Sequence, residues 1–209
     1  AFSQEPPLYQ IYNTIYGTSL TSNLALDNTY GRACSNNGDP CTQDGDCLTG
    51  TCDPIDDSFW LETNGYVAAS ARYAGYTQRF GYYTDACVGG EQVELFNVTT
   101  SGYLSGYDVM FLIGGGESLV GFFDDPSGSP QWFSQPSLNT PNLNDHMKTY
   151  RAPNFDPFVP EYLIAWEDLD LGDADYNDLV VVLEHLEPHP GIECCTIAAD
   201  CTDDGSFCT

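Results

Sequence analysis

The chain has 209 residues, 42% hydrophobic and 13% aromatic, enough for one sizeable core and too apolar for a chain disordered throughout. Against 31 acidic residues stand only 5 basic ones, a formal net charge of −26. That balance excludes the clustered Lys and Arg on which nucleic-acid and anionic-membrane binding relies; it calls for compensating cations, unless it serves only to keep a secreted protein soluble. No stretch reaches the roughly 20 apolar residues that span a bilayer, so no membrane insertion is expected. The lead AFSQEPP reads as a mature end left by a signal peptidase.

In chain order, the first element follows the Pro6-Pro7 break. Leu8, Ile11, Tyr12, Ile15 and Tyr16 fall at i, i+3, i+4, i+7 and i+8, which predicts a short amphipathic helix ended by Gly17. Its apolar stripe is expected to pack on a sheet or to dock on a neighbouring chain. Residues 31–58 form a cysteine-rich insertion almost without aliphatics.

Nine cysteines fall into two groups of four, Cys34, Cys41, Cys47, Cys52 and Cys194, Cys195, Cys201, Cys208, with Cys87 alone between them. CTQDGDC and CTIAADC share one spacing, and neither group holds the C-x-x-C pairs of a zinc ribbon. Loops rich in Gly, Asp, Asn and Thr build no core, and cross-links are their usual substitute. Disulfides within each group and an extracellular location are therefore expected, with three pairings open in each. The odd cysteine is left free, buried or joined to another chain.

NGYVAASARYAGYTQRFGYYT is expected to form a strand pair, although its alanines would permit a helix. EQVELFNVTT alternates as a strand and carries the sequon NVT, making Asn97 a candidate glycosylation site. YDVMFLIGGG reads as a strand with ESLVGFFDD as its partner. Residues 126–160 hold seven of the thirteen prolines, which predicts a long extended surface loop without regular strands. EYLIAWE and DLVVVLEHLE supply two more strands, the second ended by Pro188 and Pro190.

The expected fold is all-β, a β-sandwich or jelly-roll with a short N-terminal helix and two disulfide-rich loop segments. Its parts are an N-terminal segment (1–30), a cysteine-rich insertion (31–58), the sandwich core (59–190) and a cysteine-rich tail (191–209).

Between the last two strands, Glu167, Asp168, Asp170, Asp173, Asp175, Asn177 and Asp178 crowd into twelve residues with no Lys or Arg. At about 5 Å and an effective dielectric of about 20, each carboxylate pair costs about 3 kcal/mol in repulsion. An unliganded turn of this composition should splay. Ca²⁺ takes six to eight oxygens at roughly 2.3–2.6 Å and reverses the sign; Mg²⁺ tolerates irregular cages poorly, and zinc would want His or Cys. Asp173, Asp175 and Asn177 follow D-x-D-x-N, with Glu184 where an EF-hand has its last ligand. However, Asp178 stands where that loop needs glycine, and LVVVLE is strand-like rather than helical. The spacing to Glu184 reads as coincidence.

WEDLDLGDADYNDLVV resembles the signature of a family of secreted bacterial β domains of unknown function. Those domains show an E-D pair, then D-x-D-[YF]-N-D-[LM]-V before a core strand, and often occur on cell-surface or PEP-CTERM-type sorted proteins. The likeness is specific over 165–182 and looser over 8–30 and 66–187. It implies Ca²⁺ held by Asp173, Asp175, Asn177 and Asp178 with Glu167 and Asp168, and an extracellular binding, adhesive or structural role without enzymatic activity. The two cysteine-rich segments lie outside the pattern.

Other chemistry is poorly served. Glycosidase carboxylates face each other across a cleft, whereas these crowd one turn. His146, His185 and His189 read as surface residues, and GGGES at 114–118 as a tight turn lacking the Lys of a phosphate loop. Asp124 and Asp125, at a strand end, are a second and weaker cation candidate. The fourteen tyrosines and three tryptophans suit core packing better than a sugar-binding face. The sequence thus points to a calcium-binding, disulfide-stabilised module with no catalytic residues, self-associating or joined to matrix or surface proteins in an extracellular filament. The alternative is a monomeric adhesion or carbohydrate-binding module with glycans as partners.

Overall fold

The computed structural model describes residues 5–26, 32–34, 47–50, 52–54, 57–84, 90–112, 118–141, 143–153, 159–169 and 175–190. The helix α1 (Leu8–Tyr16) forms as its apolar spacing dictates, and Gly17 closes it at φ 66° with its N–H donating to the Asn13 carbonyl. A residue with a Cβ would be strained in that left-handed conformation. The strands are β1 (Arg32–Cys34), β2 (Cys52–Pro54), β3 (Asp57–Arg72), β4 (Gln78–Thr84), β5 (Gln92–Val98), β6 (Gly102–Tyr103), β7 (Asp108–Phe111), β8 (Ser118–Pro126), β9 (Trp132–Phe133), β10 (Met147–Arg151), β11 (Glu161–Trp166) and β12 (Leu179–Pro190).

Among the described residues, β1 and β2 pair with Cys34 opposite Cys52. Ten strands form one antiparallel sheet in the order β10-β11-β12-β3-β8-β4-β5, with β6 and β7 added to β3 and β9 to β8. The sheet does not lie flat. Phe80 on β4 and Trp166 on β11 are separated by three intervening strands, about 19 Å in a planar sheet, yet their rings meet edge-to-face at 6.3 Å. The two halves therefore curl to face each other, as in a β-sandwich. Phe59, Phe80, Phe122, Ile164, Trp166 and Val181 are among the residues of the enclosed core.

The β11–β12 hairpin is buried on both faces, which explains its unbroken apolar runs. Ile164, Trp166, Leu179, Val181 and Leu183 enter the main core. Leu163, Ala165 and Val180 turn the other way, onto Leu8, Ile11 and Tyr12 of α1. Burying Leu8 and Ile11 contributes about 2 kcal/mol each, so the sheet holds a helix too short to persist alone.

Several expectations change here. β3 and β4 are strands, but β8 lies between them and pairs with both. β7 pairs with β3 rather than with β8. The proline-rich stretch is not free of strands: β10 completes an edge against β11, and β9 adds to β8. His146 is fully buried rather than at the surface. Asn97 is exposed on β5 at the sheet edge. Cys47 is disulfide-bonded. The side chains of Cys34, Cys41, Cys52, Cys87 and the group from Cys194 to Cys208 lie outside the described residues, as do Gly114–Glu117 of the glycine turn. No described helix is long and apolar enough to cross a membrane.

Candidate metal centre

The hairpin register ends with Trp166 opposite Leu179, so Glu167 and Asp178 stand at its neck, where the strands part. There the backbone N–H of Asp168 donates to Asp178 Oδ2 at 2.8 Å. One carboxylate oxygen from each of Glu167, Asp168 and Asp178 lies within 4.8 Å of the other two. Glu167 and Asp168 are buried, and Asp178 is half-buried. Ligands on opposite sides of one Ca²⁺ stand about 5 Å apart, so this group has the size and the hard-oxygen chemistry to hold a divalent cation.

The surrounding residues fix the group in place. Glu167 N–H donates to the His146 carbonyl at 2.9 Å, and His146 Nδ1 donates to the Glu167 carbonyl at 3.0 Å. The His146 ring stacks on Trp132, centroids 3.6 Å apart. Trp132 Nε1 donates to the Asp168 carbonyl at 2.9 Å, and Gln78 Nε2 to Asp168 Oδ2 at 2.8 Å. On the far side of the neck, Asp178 accepts the Tyr73 N–H through its carbonyl. A cleft of about 420 Å³ opens over the group, lined by Glu5, Tyr73 and Tyr76 as well as the three acids.

Burial, the largest cause, pushes the Asp178 carboxyl up to about 8. The charges of Asp168, Glu167 and Asp175 act in the same direction, against the hydrogen bond from Asp168. Asp124 is fully buried, and its carboxyl is held well above the usual range by burial and then by Asp168 and Asp178. The nearby Arg72 guanidinium is lowered by burial while the same three aspartates raise it. Its hydrogen bonds go to the carbonyls of Thr100, Ala74 and Tyr76, so it braces two loops beneath the site and offsets only part of the negative charge.

Of the residues predicted to bind metal, Glu167, Asp168 and Asp178 converge. Asp175 accepts from Asn177 Nδ2 at 2.7 Å. Asn177 is fully buried, donates to the Pro6 carbonyl at 3.2 Å, and has no donor to its Oδ1. Between them Tyr176 adopts φ 54°; its hydroxyl donates to the Asp145 carbonyl and Lys148 Nζ lies 3.9 Å over its ring. Those contacts hold a backbone conformation that costs about 1–2 kcal/mol for a residue with a side chain. Asp170 and Asp173 lie outside the described residues. Glu184 pairs with Glu161 at the opposite end of the hairpin, so its EF-hand spacing is indeed coincidence.

Asp124 and Asp125 do not form a site of their own. Asp125 pairs with Arg79 on the outer side of the sheet, whereas Asp124 is fully buried and feels the charges of Asp168 and Asp178. Sequence reading missed Gln78, Arg72, Trp132 and His146, whose roles come from partners distant in the chain. Asp124 alone had a local signal: it shares strand parity with the buried Phe122.

Among known proteins, residues 104–185 match a family described as a domain of unknown function (DUF4114). The matched stretch contains Asp124 and the whole acidic neck. Among solved structures, the chain is similar to the C-terminal domain of BC2L-C lectin from Burkholderia cenocepacia, at 19% identity over 62% of this chain and 94% of that one, with a TM-score of 0.39. No curated protein matches it.

Proposed function

We propose that this chain is a secreted, non-catalytic, Ca²⁺-binding module of an extracellular assembly. The observation that carries the reading is the trio of buried Glu167, buried Asp168 and half-buried Asp178, with oxygens within 4.8 Å of one another. Like charges held so close in a partly desolvated neck require a counter-cation or protons. Glu167, Asp168 and Asp178 would hold the ion, with Asp175 and Asn177 beside them and Asp170 and Asp173 on the same turn. When bound, Ca²⁺ supplies the positive charge that closes the neck. The protein's own part is to orient the carboxylates through Gln78, Trp132 and the Asp168 N–H.

The odd cysteine count, which leaves one thiol for another chain, supports assembly with copies of itself or with matrix proteins. Calorimetric titration of metal-depleted protein with Ca²⁺ tests the ion. Binding at micromolar or tighter affinity is expected, with at least tenfold weakening in Asp178→Asn. Size measurement with and without EDTA, oxidised and reduced, tests assembly. A monomer indifferent to both treatments would remove the filament reading and leave a monomeric adhesion module.

A further inference from the structure

Beneath the acidic trio, on the sheet side, lies a fourth carboxylate. Asp124 stands opposite Phe80 of β4 and Trp132 of β9. Residues opposite each other in an antiparallel pair project from the same face, and Phe80 and Trp132 are both core residues. Asp124 therefore points inward between two aromatic side chains. It is fully buried, and among the described residues neither of its oxygens meets a hydrogen-bond donor. Gln78, two residues before Phe80 on the same face, is fully buried too. Its Nε2 is committed to Asp168, while its Oε1 meets no donor among the described residues. Gln78 and Trp132 both hold Asp168, through its carboxylate and its carbonyl, so Asp168 sits against the row to which Asp124 belongs.

A buried carboxylate without donors is costly unless it is protonated or holds a cation. Asp124 is not one of the acids whose oxygens all lie within 4.8 Å of one another, about the span across one Ca²⁺, so it does not belong to the outer trio. The Arg72 guanidinium acts on Asp124 from nearby, but its hydrogen bonds go to backbone carbonyls.

We propose that Asp124, Gln78 Oε1 and the Asp168 carboxylate form a second, inner site for a hard divalent cation such as Ca²⁺, with Asp168 bridging the two ions. The inference rests on the outer trio being a cation site, because Asp168 belongs to both. The arrangement assigns Asp124 and Gln78 to a metal centre, and their oxygen donors exclude a thiophilic ion.

The test counts ions by native mass spectrometry on the full chain, metal-depleted and then titrated with CaCl₂, for the wild type, Asp124→Asn and Glu167→Gln. Asp124→Asn is expected to bind one ion fewer than the wild type, and Glu167→Gln to weaken a different ion. Equal counts and affinities in the wild type and Asp124→Asn would overturn the inner site alone, leaving Asp124 a protonated carboxyl. No ion in any of the three would overturn the outer site and the inner one with it. Should Asp124→Asn fail to fold, anomalous scattering from wild-type crystals grown with calcium decides: a peak at Asp124 supports the inner site, and a peak at the trio without one at Asp124 contradicts it.

Discussion

Asp178 accepts the backbone N–H of Asp168 at 2.8 Å, so the two ends of the acidic turn are tied by the same carboxylate that belongs to the candidate metal centre. Its titration links pH to both stability and cation binding. In the metal-free fold the Asp178 carboxyl is pushed up to about 8, chiefly by burial, whereas in an unfolded chain it titrates near 4. Between these values the folded state keeps a proton that the unfolded state has released. The contribution of Asp178 is therefore fully present below about pH 4 and is lost as pH rises toward 8. Ca²⁺ requires the carboxylate, so its binding strengthens over the same window and releases protons. Metal-free protein is expected to melt lower at pH 8 than at pH 5, and calcium to bind at least tenfold more weakly at pH 6 than at pH 8.5. Calorimetry in buffers of different ionisation enthalpy reads the proton release; none at pH 6 would contradict the assignment.

Asn177 joins the turn to the N-terminus through the Pro6 carbonyl, and Glu5 lines the cleft beside the three acids. Without a cation, Glu5 adds to the repulsion, and the segment before α1 should lift while Leu8 and Ile11 keep the helix docked. Cleavage after Phe2 by chymotrypsin, within the segment before α1, is expected to accelerate at least tenfold in EDTA and to slow again with calcium. An unchanged rate would separate the N-terminal anchor from the metal centre.

Gly81 lies at the irregularity between β4 and β5, where an added Cβ would stand 2.1 Å from the Val93 carbonyl oxygen and 2.6 Å from the Phe123 ring. The backbone must shift to admit it. Gly81→Ala is expected to cost about 3 kcal/mol in chemical denaturation.

The helix ended by Gly17, the strands β5, β11 and β12, and the crowding of Glu167, Asp168 and Asp178 could all be read from local spacing, because local chemistry dictates them. What could not be read depends on strand order. Nothing in ESLVGFFDD shows that it inserts between β3 and β4 rather than pairing with YDVMF, since each strand presents the same apolar alternation. MKTYR reads as polar loop because only its place against the open edge of β11 makes Met147, Thr149 and Tyr150 buried. His146 looks like a surface residue until Trp132, fourteen positions earlier, covers its ring. Asp124 looks like the end of a strand until parity with Phe122 places it inside.

A divalent cation that closes the acidic neck between β11 and β12 must also stabilise the fold. Differential scanning calorimetry of EDTA-stripped protein, at pH 8 before and after addition of millimolar calcium, tests it most directly. The melting temperature is expected to rise by about 5 °C or more, since ligand at 100 times its Kd adds about 2.7 kcal/mol and each kcal/mol shifts a domain of this size by about 2–4 °C. A melting temperature unmoved by calcium, with no ion retained after desalting, would contradict it.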